Sequence, residues 1–135
     1  MKIDWILPIG KNEIDRHVIK CVKSLLKIID TKNDRLIVVC DEKQWKKYNI
    51  ISKNILLIKP PDIRNAAAYR NMAINEINAD IIAFQDADDV SLENRRQWIE
   101  KNADESDMIA GNYFSIDDND NIKGMRTLSK INNLF

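Results

Sequence analysis

The chain has 135 residues, with 21 Lys plus Arg against 21 Asp plus Glu and a formal net charge of zero. A chain of this length makes one domain and buries roughly two thirds of its extended surface. With 44% hydrophobic and 31% charged residues, the composition is that of a soluble globular protein and excludes an electrostatically driven nucleic-acid binder.

Ile3 to Ile9 is an apolar run interrupted by Asp4, and reads as a first strand ending at Pro8. Asn12 comes next, in the position of a helix cap. Ile14, Val18, Val22, Leu25, Leu26 and Ile29 then recur at helical spacing. Leu36 to Cys40 is a second strand, apolar throughout and rich in β-branched residues. That continuous pattern suits a parallel strand covered on both faces. A short helix is predicted around Gln44 to Tyr48. Ile55 to Ile58 is a third strand, stopped by Pro60-Pro61, with Arg64 and Asn65 after it. Ala66 to Ile77 reads as a helix with Ala73, Ile74 and Ile77 on one side. Ile81 to Phe84 is a fourth strand, and Leu92 to Lys101 a helix in which Trp98 and Ile99 pack inward. Met108 opens a fifth strand toward Ile116. The polar cluster Asp117 to Asn121 reads as a turn closing a hairpin with Ile122 to Thr127.

Strands and helices alternate, which argues for an α/β layer with a mostly parallel sheet and right-handed crossovers. The predicted domain is a single unit, 1–135, with a core over 1–116 and a hairpin and tail over 117–135. Ligands of such sheets bind beyond the carboxyl ends of the strands. Pro8, Ile9 and Asn12, then Asp41, then Arg64 and Asn65, then Asp86, Asp88 and Asp89 all come after strands.

The last group carries the most chemistry. Asp86-Ala87-Asp88-Asp89 places three carboxylates within four residues at the exit of an apolar run. Like charges that close raise one another's proton affinity unless a cation sits among them. Magnesium and manganese favour such oxygens, and magnesium is commonly held by one or two carboxylates plus substrate phosphates. The competing reading is a polar turn, since Asp favours turns through its own backbone hydrogen bonds. Arg70 is open to a similar alternative, an exposed helical charge paired with Glu76 or a nearby acid, and Asp41 to a strand-end turn. Trp5, Trp45 and Trp98 read as packing residues.

Cys21 falls in a helical stripe and Cys40 at a strand end, without zinc-ligand spacing, so both read as buried free thiols. No apolar run approaches a transmembrane length, and the first residues run into a core strand rather than a signal peptide. A cytoplasmic location is the expectation, with peripheral membrane association left open.

Four segments together resemble the nucleotide-sugar-binding half of a family-two glycosyltransferase of the GT-A fold. Leu7-Pro8-Ile9-Gly10-Lys11-Asn12-Glu13 is similar to the family's opening strand-Pro-x-x-Asn-Glu. Leu36 to Asp41 resembles its second strand, which ends in Asp. Ala67 to Ile74 is similar to the Ala-Arg-Asn-x-Gly-Ile helix. Phe84 to Asp89 matches the Asp-x-Asp metal motif with a third acid, and the later Asn94-Arg95 also fits the family pattern.

The resemblance implies a Rossmann-like α/β/α layer that ends before the acceptor half. It implies metal-dependent transfer from a nucleotide-diphosphate sugar, UDP-linked by preference, to the hydroxyl of an acceptor glycan or lipid-linked sugar in cell-surface polysaccharide synthesis. Pro8 and Ile9 would flank the nucleoside, and Asn12 would belong to the same donor-binding segment. Asp41 would meet the base, and Arg70 the diphosphate or the metal loop. Asp86 would contact ribose or sugar hydroxyls and share a Mn2+ or Mg2+ ion with Asp88. Cys40, Glu42 and Lys43 depart from the family's paired acids and Gly-Ser, and Asn65 and Ala73 stand where the family has Gly. Glu105, Asp107, Asp117, Asp118 and Asp120 lie after the motif without the context of the family's general base, and none is assigned that role. The alternative is a non-catalytic nucleotide-binding or protein-interaction domain on the same scaffold.

Overall fold

The computed structural model describes residues 1–62 and 65–127; Arg64 and the tail 128–135 lie outside the described residues. The chain divides into two compact units, Met1–Glu100 and Lys101–Phe135.

The first unit is built on four parallel strands, β1 (Ile3–Pro8), β2 (Arg35–Val39), β3 (Ile55–Ile58) and β4 (Ile81–Phe84), in the order β3-β2-β1-β4. Every residue of β1 is buried, as its near-continuous apolar sequence requires of a strand covered on both faces. Side chains alternate across a strand. Ile6, Ile37 and Val39 therefore meet one layer, Tyr69 and Ala73 of the helix Ala66–Ile74, with Leu56, Ile58, Met72 and Ile77 around them. Trp5 and Leu7 face the opposite way and are fully buried.

Four helices join the strands: α1 (Asp15–Ile28), α2 (Glu42–Tyr48), α3 (Ala66–Ile74) and α4 (Arg95–Asn102). Helix α1 buries Val18, Cys21, Val22, Leu25 and Ile28; of the predicted stripe Val18, Val22, Leu25 and Ile29 are buried, Leu26 is half-buried and Ile14 is exposed. Its start differs. The N-cap position is Ile14, with no side-chain cap, and Asn12 lies in the exposed turn before it. Asn65 is a true cap, its Oδ1 accepting from the Ala68 amide at 2.7 Å. Helix α3 stops at Ile74 rather than Ile77, and α4 begins at Arg95 rather than Leu92. Ile99 is buried as expected, but Trp98 is 38% exposed.

Two buried ion pairs fasten the amino-terminal end of this sheet. Asp4 and Asp34 are both fully buried. Arg35 donates to both oxygens of Asp4, at 3.1 and 2.7 Å, and the Asn78 amide donates to the same carboxylate at 2.8 Å. Asp34 accepts from the Ile3 and Asp30 amides, from the Trp5 indole at 3.1 Å and from two nitrogens of Arg96 at 2.8 and 3.0 Å. One carboxylate thus ties β1, the turn before β2 and α4.

The second unit contains an antiparallel hairpin, β5 (Tyr113–Ile116) and β6 (Ile122–Arg126). The turn at 117–121 is as predicted, held by Asp117 accepting from the Asn119 and Asn121 amides at 2.9 Å each. The expected fifth strand is corrected at its start, which is Tyr113 and not Met108, and it pairs with β6 as the predicted hairpin does. Among the described residues its partner is the neighbour reached by a tight turn, as antiparallel pairs allow. Among the described residues, no helix is long and apolar enough to cross a membrane.

Removing one member of a buried ion pair leaves the other charged and unpaired, at a cost of about 3–5 kcal/mol. Asp34→Ala is expected to lower the unfolding free energy by about that amount in urea titrations. A loss under about 1 kcal/mol would mean that Arg96 and the Trp5 indole find other partners.

Candidate functional site

The strand order fixes where a site can form. Chain direction across the sheet reverses between β1 and β4, since β1 is flanked by β2 on one side and by β4 on the other. At such a switch point the loops leaving two adjacent parallel strands diverge, and a crevice opens beyond their carboxyl ends. An open cleft of about 290 Å³ lies there. Pro8, Gly10, Lys11 and Glu13 line it from the β1 exit, Asp86, Ala87 and Asp88 from the β4 exit, and Asn65, Ala66, Tyr69 and Arg70 from α3.

Of the residues singled out from the sequence, Pro8, Arg70, Asp86 and Asp88 come together in this cleft. The Arg70 guanidinium pairs with the Asp86 carboxylate. That pair with a nearby acid is the alternative reading of Arg70 realised. Ile9, Asn12 and Asp41 do not line the cleft. Ile9 is fully buried and its amide donates to the Val39 carbonyl at 2.9 Å.

Asp41 caps α2 reciprocally. Its Oδ1 accepts from the Gln44 amide at 2.8 Å, and Gln44 Oε1 accepts from the Asp41 amide at 3.2 Å. The Gln44 side-chain amide also donates to the Gly10 carbonyl at 2.7 Å, tying the β2 exit to the β1 exit. The spacing Asp41-x-x-Gln44 is a capping-box signature readable in the sequence.

Negative charge is concentrated in the cleft. Burial, then the charges of Asp88 and Asp86, hold the Glu13 carboxyl above its ordinary range. Asp89 is raised by the same causes in the same order, with Arg95 opposing. Among the described residues, no three His, Cys, Asp or Glu side chains are gathered as a ready-made metal cage. The donor set still fits a hard divalent cation. Two carboxylates of one loop face one cleft, and the remaining positions around such an ion are commonly filled by water and phosphate.

Underneath this loop is a polar cluster in which the sequence marked Arg95 by motif but gave Gln85 and Ser91 no role. Gln85 is 2% exposed, Ser91 is buried, and Arg95 stacks 5.3 Å from the Trp5 ring centre. Cys21 lies below as well, its thiol donating to the Asp86 carbonyl at 3.3 Å.

With the geometry in place, the sequence match decides the family. The model of glycosyl transferase family 2 matches residues 10–135. The chain belongs to glycosyl transferase family 2. No curated protein matches it. Among solved structures it is similar to S. aureus TarS 1-349, at 19% identity and a TM-score of 0.59, over 78% of this chain and 33% of that one. It is also similar to S. aureus TarS 1-349 in complex with UDP-GlcNAc, at 19% identity and a TM-score of 0.56, over 78% and 32%. These likenesses agree with the family-2 GT-A fold of the parallel sheet. The chain spans about a third of the length of the structures it resembles.

Burial pushes the Cys21 and Cys40 thiols up to about 12. The folded state therefore holds both protons more tightly than the unfolded chain, whose thiols titrate near about 8.5. This contribution to stability is full below the unfolded value and is lost as pH rises toward the folded one. Resistance to urea is expected to decline over that alkaline window, and neither thiol should react with a disulfide reagent at neutral pH before unfolding. Rapid labelling of the folded protein would contradict the burial of both.

Proposed function

We propose that this chain is the donor-binding part of a metal-dependent glycosyltransferase that takes a nucleotide-diphosphate sugar, with UDP as the nucleotide. The observation that carries this reading is the meeting of Asp86, Asp88 and Arg70 in one cleft at the switch point of the sheet. The UDP-GlcNAc complex of the structurally similar TarS supports a nucleotide sugar as the ligand class. The acceptor we read as a glycan or lipid-linked sugar hydroxyl, in polysaccharide synthesis at the cell surface. The two buried free thiols fit a cytoplasmic setting.

Asp88 and Asp86 are the residues that would hold a Mn2+ or Mg2+ ion. When bound, that ion supplies Lewis-acid stabilisation of the charge that develops on the departing diphosphate. Arg70 begins as the partner of Asp86. A diphosphate in the cleft gives its planar fork of donors a second anionic acceptor, matched in geometry. Pro8 and the Ile9 backbone flank the nucleoside at the β1 exit, with Asn12 in the turn beyond. Asp41 reaches the base with the oxygen that its cap does not use. The cleft walls fix the donor's orientation, so that its anomeric carbon is presented to the acceptor side.

Calorimetry with UDP and GDP, with and without manganese, tests the reading. Manganese-dependent UDP binding is expected for the wild-type chain, and its abolition is expected for Asp88→Ala with folding intact. Binding of neither nucleotide under any condition would sink the proposal. Asp41→Asn separates the two roles of that residue, because Asn caps helices about as well as Asp. Stability should hold while UDP affinity falls. Unchanged affinity would leave Asp41 as a cap alone.

A further inference from the structure

Resting on the donor-site reading above, we propose that Gln85 is the positioning residue of the acid loop, the buried group that holds Asp86 and Asp88 in the orientation that binds a cation. Gln85 ends the apolar run of β4, and its own amide continues the sheet, donating to the Ile6 carbonyl at 2.9 Å. Strand alternation turns its side chain inward while Phe84 before it and Asp86 after it face outward, 45% and 52% exposed.

A primary amide offers two donors and an acceptor with two lone pairs. All four capacities are used here. The NH2 donates to the Asp86 carbonyl at 3.2 Å and to the Asp89 carbonyl at 2.9 Å, spanning the acid loop from end to end. The carbonyl oxygen accepts from the Ser91 hydroxyl at 2.7 Å and from Arg95.

The partners are themselves anchored. Arg95 also donates to the Ser91 hydroxyl at 3.0 Å and to the Phe84 carbonyl at 2.6 Å. The Ser91 amide donates to the Ser24 hydroxyl at 2.9 Å, so α1 braces the far side. The Asp86 carbonyl takes three donors in all, from Gln85, from the Cys21 thiol and from the Asp89 amide at 3.1 Å.

Drawing the loop carbonyls inward onto one buried amide leaves the carboxylates facing the cleft. Three acids in four residues repel, and left to themselves they relax by turning apart. With Arg95 already supplying a positive charge beneath the loop, position 85 itself is served by a neutral donor. A carboxylate would add to the repulsion and could not donate to the carbonyls. A Lys or Arg would neutralise the acids from below and compete with the metal. Groups that orient metal-binding carboxylates in this way typically carry about 10- to 100-fold in metal affinity.

Gln85→Glu tests the role, because it keeps the shape and the acceptor for Ser91 and Arg95 while deleting both donors to the loop. Hydrogen exchange should quicken at the 86–91 amides and stay unchanged in β1 and β2. The manganese concentration that half-saturates UDP binding should rise about 10-fold or more.

The sign of the effect is diagnostic. An added negative charge acting through space alone would strengthen manganese binding. An unchanged or lower manganese requirement would therefore overturn the positioning role while leaving the donor site standing. Failure of the wild-type chain to bind UDP with manganese would instead overturn both. Should Gln85→Glu not fold, the wild type decides: its Gln85 side-chain amide protons should exchange slowly and resonate apart from those of exposed amides. Exchange as fast as that of exposed Asn and Gln side chains would overturn the inference.

Discussion

Mutual repulsion among carboxylates is the constraint around which the cleft is organised. Burial, then the charges of Asp88 and Asp86, raise the hold of Glu13 and Asp89 on their protons. A folded chain tolerates such a cluster only where neighbouring structure fixes it in place. Here the fixing comes from two directions. Arg70 meets Asp86 from α3, and the Gln85–Ser91–Arg95 cluster holds the loop backbone from beneath. The two braces differ in kind. Arg70 engages a carboxylate, so its contact competes with a ligand's cation. Gln85 engages carbonyls, so its contact persists when a ligand arrives.

The two ends of the parallel sheet treat buried and half-buried charge in opposite ways. At the amino-terminal end, Asp4 and Asp34 are wholly buried and saturated by Arg35, Arg96, the Trp5 indole and backbone amides. At the carboxyl-terminal end Glu13, Asp86 and Asp88 face a cleft, and burial with the charges of Asp88 and Asp86 perturbs Glu13. Ionisable groups perturbed by burial and by specific neighbours, inside a cleft, are typical of functional sites. The electrostatics and the topological switch point therefore select the same end of the sheet by independent routes.

The strands were legible because parallel strands covered on both faces must be apolar at successive positions, as Leu36 to Val39 and Ile55 to Ile58 are. The stripe of α1 was legible for the same reason at a different period. Helix ends were less so. The sequence extended α3 through Asn75-Glu76-Ile77 because Ile77 falls at helical spacing, yet Ile77 packs on the core from the turn beyond the helix. Asn12 looked like a cap because Asn often is one, but the chain enters α1 two residues later without any side-chain cap. The hairpin and its partner strand were legible from the turn at 117–121, and only the start of its first strand was placed too early, at Met108 instead of Tyr113. Gln85 escaped notice because one polar residue at the end of an apolar run reads as the strand's exit. Its role depends on Asp86, Asp89, Ser91 and Arg95 converging on one amide, and that convergence exists only once the loop has folded back over the strand end.

Clustered acids lower the stability of the empty fold, and a ligand that neutralises them returns that stability. Any ligand bound by the native state alone stabilises it in proportion to the logarithm of its concentration over its dissociation constant. The same acids that make the cleft costly when empty thus make it responsive to a cation–diphosphate ligand. This links the proposed function to the architecture. The amino-terminal ion pairs and the four-partner amide fasten the scaffold, and the clustered acids stand at the loop where a donor would neutralise them.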